Sequence, residues 1–255
     1  MQKVKPSNLG YIISTTKSYR EKSTERLILE SKYSGIPKDK LLIVSSQEDF
    51  NECNIVDGYK IIHVKYTGIH LTPMIYLSEN LTKYKSIKYW ILLHSTCKIG
   101  VNFVKRLHSK LDKLNTFDSI PLNTVGNGVR TMDMGIFSID HIKSFENYWQ
   151  IMKHNKFDKQ ILHDLKCQLI ANEDLIFSYP PAIPNRATKF NRVNIKNNLI
   201  SLKGLVNCRD VKTNFVNLNS EKIQEVNYLS LDLLKYQRNF NGLEKISMNA
   251  NGLVP

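Results

Sequence analysis

The sequence predicts an α/β protein built around a mostly parallel sheet flanked by helices. Four short apolar runs, at residues 10–15, 40–45, 60–66 and 88–93, have the length and composition of buried strands. Helical spacing of apolar residues follows the first run, and strand, helix, strand in that order gives parallel pairing with right-handed crossovers. A 42% hydrophobic share in 255 residues is enough for one large domain or one domain with an appendage.

The first run, Gly10-Tyr11-Ile12-Ile13-Ser14-Thr15, ends in hydroxyl residues and reads as a strand opening into a loop. A helix over 24–34 follows, with Leu27, Ile28 and Tyr33 at helical spacing, Glu25, Arg26, Glu30 and Lys32 facing water, and Gly35-Ile36-Pro37 as its stop. The second and third strands are 40–45 and 60–66. Pro73 through Asn80 reads as the start of a helix, and the most hydrophobic strand, 88–93, ends in His94-Ser95-Thr96-Cys97. Residues 100–114 carry Val101, Val104, Leu107, Leu111 and Leu114 on one face of an amphipathic helix, with Lys105, Arg106, Lys110 and Lys113 opposite. The stretch 115–130 reads as a long loop or irregular strand pair, 131–140 as a strand interrupted by Gly135, and 139–153 and 159–169 as helices. After Pro184 periodicity weakens and Asn and Lys dominate. This divides the chain into a compact domain, 1–184, and a less regular extension, 185–255, with one helix over 228–236.

Several function classes drop out. No apolar run approaches the roughly 20 residues of a membrane-spanning helix, and Tyr11-Ile12-Ile13 is too brief for a secretory signal, which points to a cytoplasmic protein. Cys53, Cys97, Cys167 and Cys208 have neither zinc-site nor disulfide-framework spacing. There is no Gly-rich phosphate loop of the dehydrogenase or P-loop kind. The net charge of +13 suits phosphorylated small molecules. It comes with no Arg-rich or aromatic-interleaved motif of the kind that reads nucleic acid, so a basic nucleic-acid-binding protein is the weakest alternative.

In open α/β sheets ligands bind at the carboxyl ends of parallel strands, which selects three places. Thr15, Tyr19 and Arg20 follow the first strand and offer a hydroxyl, a stacking face and a cation, or simply start a helix. His94, Ser95 and Thr96 follow the fourth strand and precede Lys98 and Gly100, where a helix N-terminus would make an anion site or where Ser95 and Thr96 are plain caps. A Cys97–His94 nucleophile pair lacks an orienting Asn or Asp. Glu173 and Asp174 are adjacent carboxylates, read either as helix-capping groups or as a general base.

Taken in order, Tyr11-Ile12-Ile13-Ser14-Thr15 with Tyr19-Arg20, Gly35-Ile36-Pro37, Leu93-His94-Ser95-Thr96-Cys97, Asp133-Met134-Gly135-Ile136-Phe137 and Glu173-Asp174 resemble a GT-A fold glycosyltransferase over roughly residues 9–180. The chain is most similar to viral and microbial sequences with a Leu-His-Asp-Thr-Cys type motif, which would place a viral protein in the host cytoplasm. The resemblance implies a Rossmann-like catalytic domain that transfers a sugar from a nucleotide-sugar donor to the hydroxyl of a glycan or other acceptor, with inversion. It implies that Thr15, Tyr19 and Arg20 contact the nucleotide and that His94, Ser95 and Thr96 stand where an Asp-x-Asp motif holds a divalent metal. Asp133 and Gly135 would lie beside sugar or acceptor, and Asp174, with Glu173 as second candidate, would be the base. The chain departs from the pattern at Ser95, because a serine hydroxyl is a poor ligand for Mg²⁺ or Mn²⁺. Metal dependence is therefore open, a cation such as Arg20 or Lys98 could serve instead, and a catalytically inactive binding protein of the same fold is the alternative.

Overall fold

The computed structural model describes residues 4–68, 70–114, 119–122, 134–154, 205–206, 210–218 and 221–238. Strand β1 (Leu9–Thr16) pairs in parallel with β2 (Leu41–Ser46) on one side and β5 (Tyr89–His94) on the other. β2 pairs in parallel with β4 (Tyr59–His63), and β3 (Glu52–Val56) closes that edge as an antiparallel hairpin on β4. Asp57 and Gly58 at the hairpin tip have φ of 52° and 84°, the positive values a tight two-residue turn requires. On the far side β8 (Gly135–Ser138) runs antiparallel to β5, and β7 (Ser119–Pro121) antiparallel to β8. The seven-stranded order is β3-β4-β2-β1-β5-β8-β7, an α/β arrangement compatible with a Rossmann-like fold.

Alternation along the central strands sorts their side chains into two apolar layers. Tyr11, Ile13, Ile43, Ile91 and Leu93 face Leu27 and Ile28 of α1 (Lys17–Ser34) and Phe103, Leu107 and Leu111 of α3 (Phe103–Leu111). Ile12, Leu42, Val44, Trp90 and Leu92 face Met74, Ile75 and Leu77 of α2 (Thr72–Asn80), together with Ile142 of α4 (Ile139–Ser144) and Trp149 of α5 (Glu146–His154). These strands are buried on both sides, which is why they read as continuous apolar runs in the sequence.

Gly10 sits against this second layer. A Cβ there would lie 2.8 Å from two atoms of the Trp90 ring and 2.9 Å from Ile87 Cγ2. Trp90 is fully buried and has nowhere to move, so Gly10→Ala is expected to lower stability by about 1–3 kcal/mol. Urea unfolding checks this, and an unchanged midpoint would contradict it.

Beyond residue 185 the described chain is regular. Strands β9 (Val211–Leu218), β10 (Glu221–Tyr228) and β11 (Leu233–Arg238) form an antiparallel sheet whose fourth member is the short β6 (Cys97–Ile99). Leu205, Val206, Val226, Tyr228, Leu231 and Leu233 belong to the same apolar layer as α1 and α3.

Several sequence expectations need correction. The helix expected over 228–236 is instead the end of β10, a single turn and β11, with Asp232 at φ 57° turning the chain. The helix expected from residue 100 starts at Phe103, because Cys97–Ile99 is pulled into a sheet by β11. Phe103 replaces Val101 on its buried face, leaving Val101 65% exposed. α1 starts at Lys17, well before residue 24, and the single helix expected over 139–153 breaks at Phe145. The helix expected over 159–169 lies outside the described residues.

Candidate functional site

The parallel strands order themselves β4-β2-β1-β5, with α1 leaving β1 on one face and α2 entering β5 from the other. The strand order reverses between β1 and β5, and a crevice outside the carboxyl ends at such a switch point is where open α/β sheets bind ligands. The two strand ends are tied together there, since the Ser95 amide donates to the Ser14 carbonyl at 2.8 Å.

Most of the described sequence-selected residues gather at this edge. Thr15 is 3% exposed, and its hydroxyl has no hydrogen-bond partner among the described residues. Tyr19 and Arg20 occupy the first turn of α1, both half-buried. His94 ends β5 with its ring 5.5 Å from that of His70, and Ser95 follows, buried. The Thr96 carbonyl accepts from the Tyr236 amide at 3.1 Å. Gly135 opens β8 opposite Leu92, which puts it at the same end of the sheet. Asp133, Glu173 and Asp174 lie outside the described residues.

One expectation about this edge is overturned. The His94–Cys97 tetrad does not open a helix, because β6 follows it. Cys97, which lacks an orienting Asn or Asp in the sequence, is fully buried with its sulfur 3.4 Å from Met134 Sδ.

The structure adds residues that sequence reasoning missed. After β2 the chain turns sharply at Gln47, φ 60°, and the Glu48 amide donates to the Val64 carbonyl at 3.0 Å. This folds the Glu48 carboxylate inward, where Oε1 accepts from Arg20 Nε at 2.8 Å and from the Ser45 hydroxyl at 2.6 Å. His63 Nδ1 lies 3.3 Å from the same oxygen. Burial pushes the Glu48 carboxyl up, but the hydrogen bond from Ser45, the approach of His63 and the charge of Arg20 outweigh it and hold the carboxyl below the ordinary glutamate value. Oε2 is buried with no partner among the described residues. An ionised carboxylate with one saturated and one open oxygen is a ready acceptor for an N–H or O–H donor.

Arg26 and Glu30 of α1, expected to face water, instead clamp the turn after β5. The Arg26 guanidinium donates to the Ser95 carbonyl at 2.6 Å and the Cys97 carbonyl at 2.8 Å, and is held in turn by both Glu30 oxygens at 2.9 and 3.0 Å. Glu30 also accepts from the Ile99 amide at 2.9 Å. At the mouth of the edge Lys17 pairs with Asp49, whose carboxyl is lowered by the hydrogen bond and charge of Lys17.

The donor set at the tetrad does not fit Mg²⁺ or Mn²⁺. Two hydroxyls and an imidazole replace the carboxylate oxygens these ions favour. Among the described residues no group of three or more His, Cys, Asp or Glu is placed to hold a metal ion. Among them, too, no helix is long and apolar enough to cross a membrane.

No protein-family model matches the chain, and no curated protein gives a significant match.

Proposed function

We propose that the protein is a GT-A-type glycosyltransferase that binds a nucleotide sugar across the switch point and transfers the sugar to an acceptor hydroxyl. The observation that carries this reading is the Ser95–Ser14 backbone bond, which brings the end of β1 and the His94-Ser95-Thr96 segment to one edge of the sheet. The Rossmann-like parallel core supports it as well. In this reading Thr15, Tyr19, Arg20 and Glu48 receive the nucleoside, and the segment from His94 to Thr96 lies beside the diphosphate. Asp174, with Glu173 as second candidate, takes the proton of the acceptor hydroxyl. That oxygen forms its bond to the anomeric carbon from the face opposite the leaving group, and the bond to the diphosphate oxygen breaks with its electron pair leaving on the nucleoside diphosphate. No step is assigned to a metal, since the donor set at Ser95 suits one poorly.

Incubation with UDP-, GDP- and dTDP-sugars tests this. Binding and slow donor hydrolysis with at least one is the expected result, and neither with any of them overturns the reading. Asp174→Asn is expected to keep donor affinity and lower transfer by about 10²–10⁴-fold. The absence of a carboxylate at Ser95 favours a second reading, a binding protein of the same fold. Donor binding without hydrolysis or transfer in the native protein is its signature.

Thr15 gives a sharper check on the location. Its buried hydroxyl has no described protein partner, so Thr15→Val is expected to leave the melting temperature unchanged or raised. Loss of that hydroxyl is expected to weaken nucleotide binding about tenfold, measured by calorimetry. Unaltered affinity would move the ligand away from β1.

A further inference from the structure

His70 belongs to none of the sequence motifs at this edge, yet it stands beside one of them. His94 shares the face of β5 that carries Trp90 and Leu92, by strand alternation, and that face is covered by α2. His70 lies in the segment leading into α2, and its ring centre is 5.5 Å from that of His94, with the planes tilted by 36°. His94 directly precedes Ser95, the residue tied to the end of β1.

The cations nearest on α1 are already offset. Lys17 pairs with Asp49, Arg20 with Glu48 and Arg26 with Glu30. A bound diphosphate therefore draws little net positive charge from these three side chains. An imidazole donates an N–H in either neutral tautomer and two when protonated, and rings this close can both donate to oxygens of one phosphate group.

We infer that His70 and His94 together form the binding site for the terminal phosphate of a nucleoside diphosphate, filling the role that the missing carboxylates leave without a metal. The inference rests on the nucleotide-sugar reading for the identity of the ligand, but not for the presence of an anion site. His70 touches the phosphate from the α2 side, His94 from the β5 side, and the hydroxyls of Ser95 and Thr96 complete the donor set.

The test uses the full chain with four probes: UDP, GDP, uridine and inorganic pyrophosphate, in metal-free buffer. His70→Asn and His94→Asn are each expected to weaken diphosphate and pyrophosphate binding about 10- to 100-fold, while uridine affinity stays as it is. Ring resonances of His70 and His94 in the unmodified protein are expected to shift together when pyrophosphate is added, a readout that needs no substitution. Pyrophosphate binding that depends on both histidines, with no binding of UDP, GDP or uridine, upholds the anion site and removes the nucleotide reading. Diphosphate binding that neither substitution weakens, with unmoved ring resonances, overturns the inference and leaves the nucleotide reading standing. No binding of any probe overturns both.

Discussion

Arg26→Ala is expected to destabilise the protein by about 2–4 kcal/mol, the range for removing a largely buried charged donor with several partners. The Arg26 side chain is 19% exposed, and its guanidinium makes hydrogen bonds to two carbonyls of the turn after β5. Without it the Ser95 and Cys97 carbonyls lose a charged donor, and Glu30 keeps only the Ile99 amide among the partners described above. Urea unfolding measures the loss. Arg26→Lys is expected to recover only part of it, because a point charge cannot reproduce the planar fork that reaches two carbonyls and a carboxylate at once. A midpoint unchanged in both variants would show that the turn holds its shape without the clamp. Ligand affinity is expected to fall with Arg26→Ala even under conditions where the chain remains folded, since the same turn carries Ser95 and Thr96.

Glu48→Ala is expected to cost about 2–3 kcal/mol at neutral pH, because one carboxylate oxygen gathers Arg20, Ser45 and His63 inside the sheet edge. The same group makes stability depend on acid. Its carboxyl titrates below the ordinary glutamate value of 4.5 when folded. Its stabilisation is thus complete above that pH and is lost as the pH falls through the depressed value. Glu48→Gln, which removes the titration while keeping the shape, is expected to flatten the acid limb of stability below pH 4.5. Unfolding midpoints of both proteins across that range decide it, and parallel acid limbs would remove Glu48 as the source.

The parts of the fold legible in the sequence are those whose partners impose a local pattern. β1, β2 and β5 are covered on both faces, so each appears as an apolar run, and their carboxyl ends could be picked out before their neighbours were known. β3 carries no such mark, because an edge strand with Ile55 68% and Val56 40% exposed has no buried face to alternate with. β6 is three residues long and exists because Lys235 and its neighbours pair with it, a contact no window around residue 97 contains. The stretch 228–236 reads as a helix in the sequence, yet Asp232 in the left-handed region turns the chain between two strands.

The site divides the same way. Thr15, Tyr19, Arg20, His94, Ser95 and Thr96 follow strands and were found by that rule. Glu48 was not, because its burial depends on the turn at Gln47 and on His63 across the sheet. Arg26 and Glu30 looked like solvated helix residues, and nothing local distinguishes an arginine facing water from one facing two carbonyls of a distant turn.

The pairing of β6 with β11 sets an order of events during synthesis. β1, β2 and β4 have their paired strands within the first hundred residues. The segment that carries His94 through Cys97 must wait for Lys235 before its backbone is secured on that side. A nascent chain that ends before β11 would lack that pairing for the segment from His94 to Cys97.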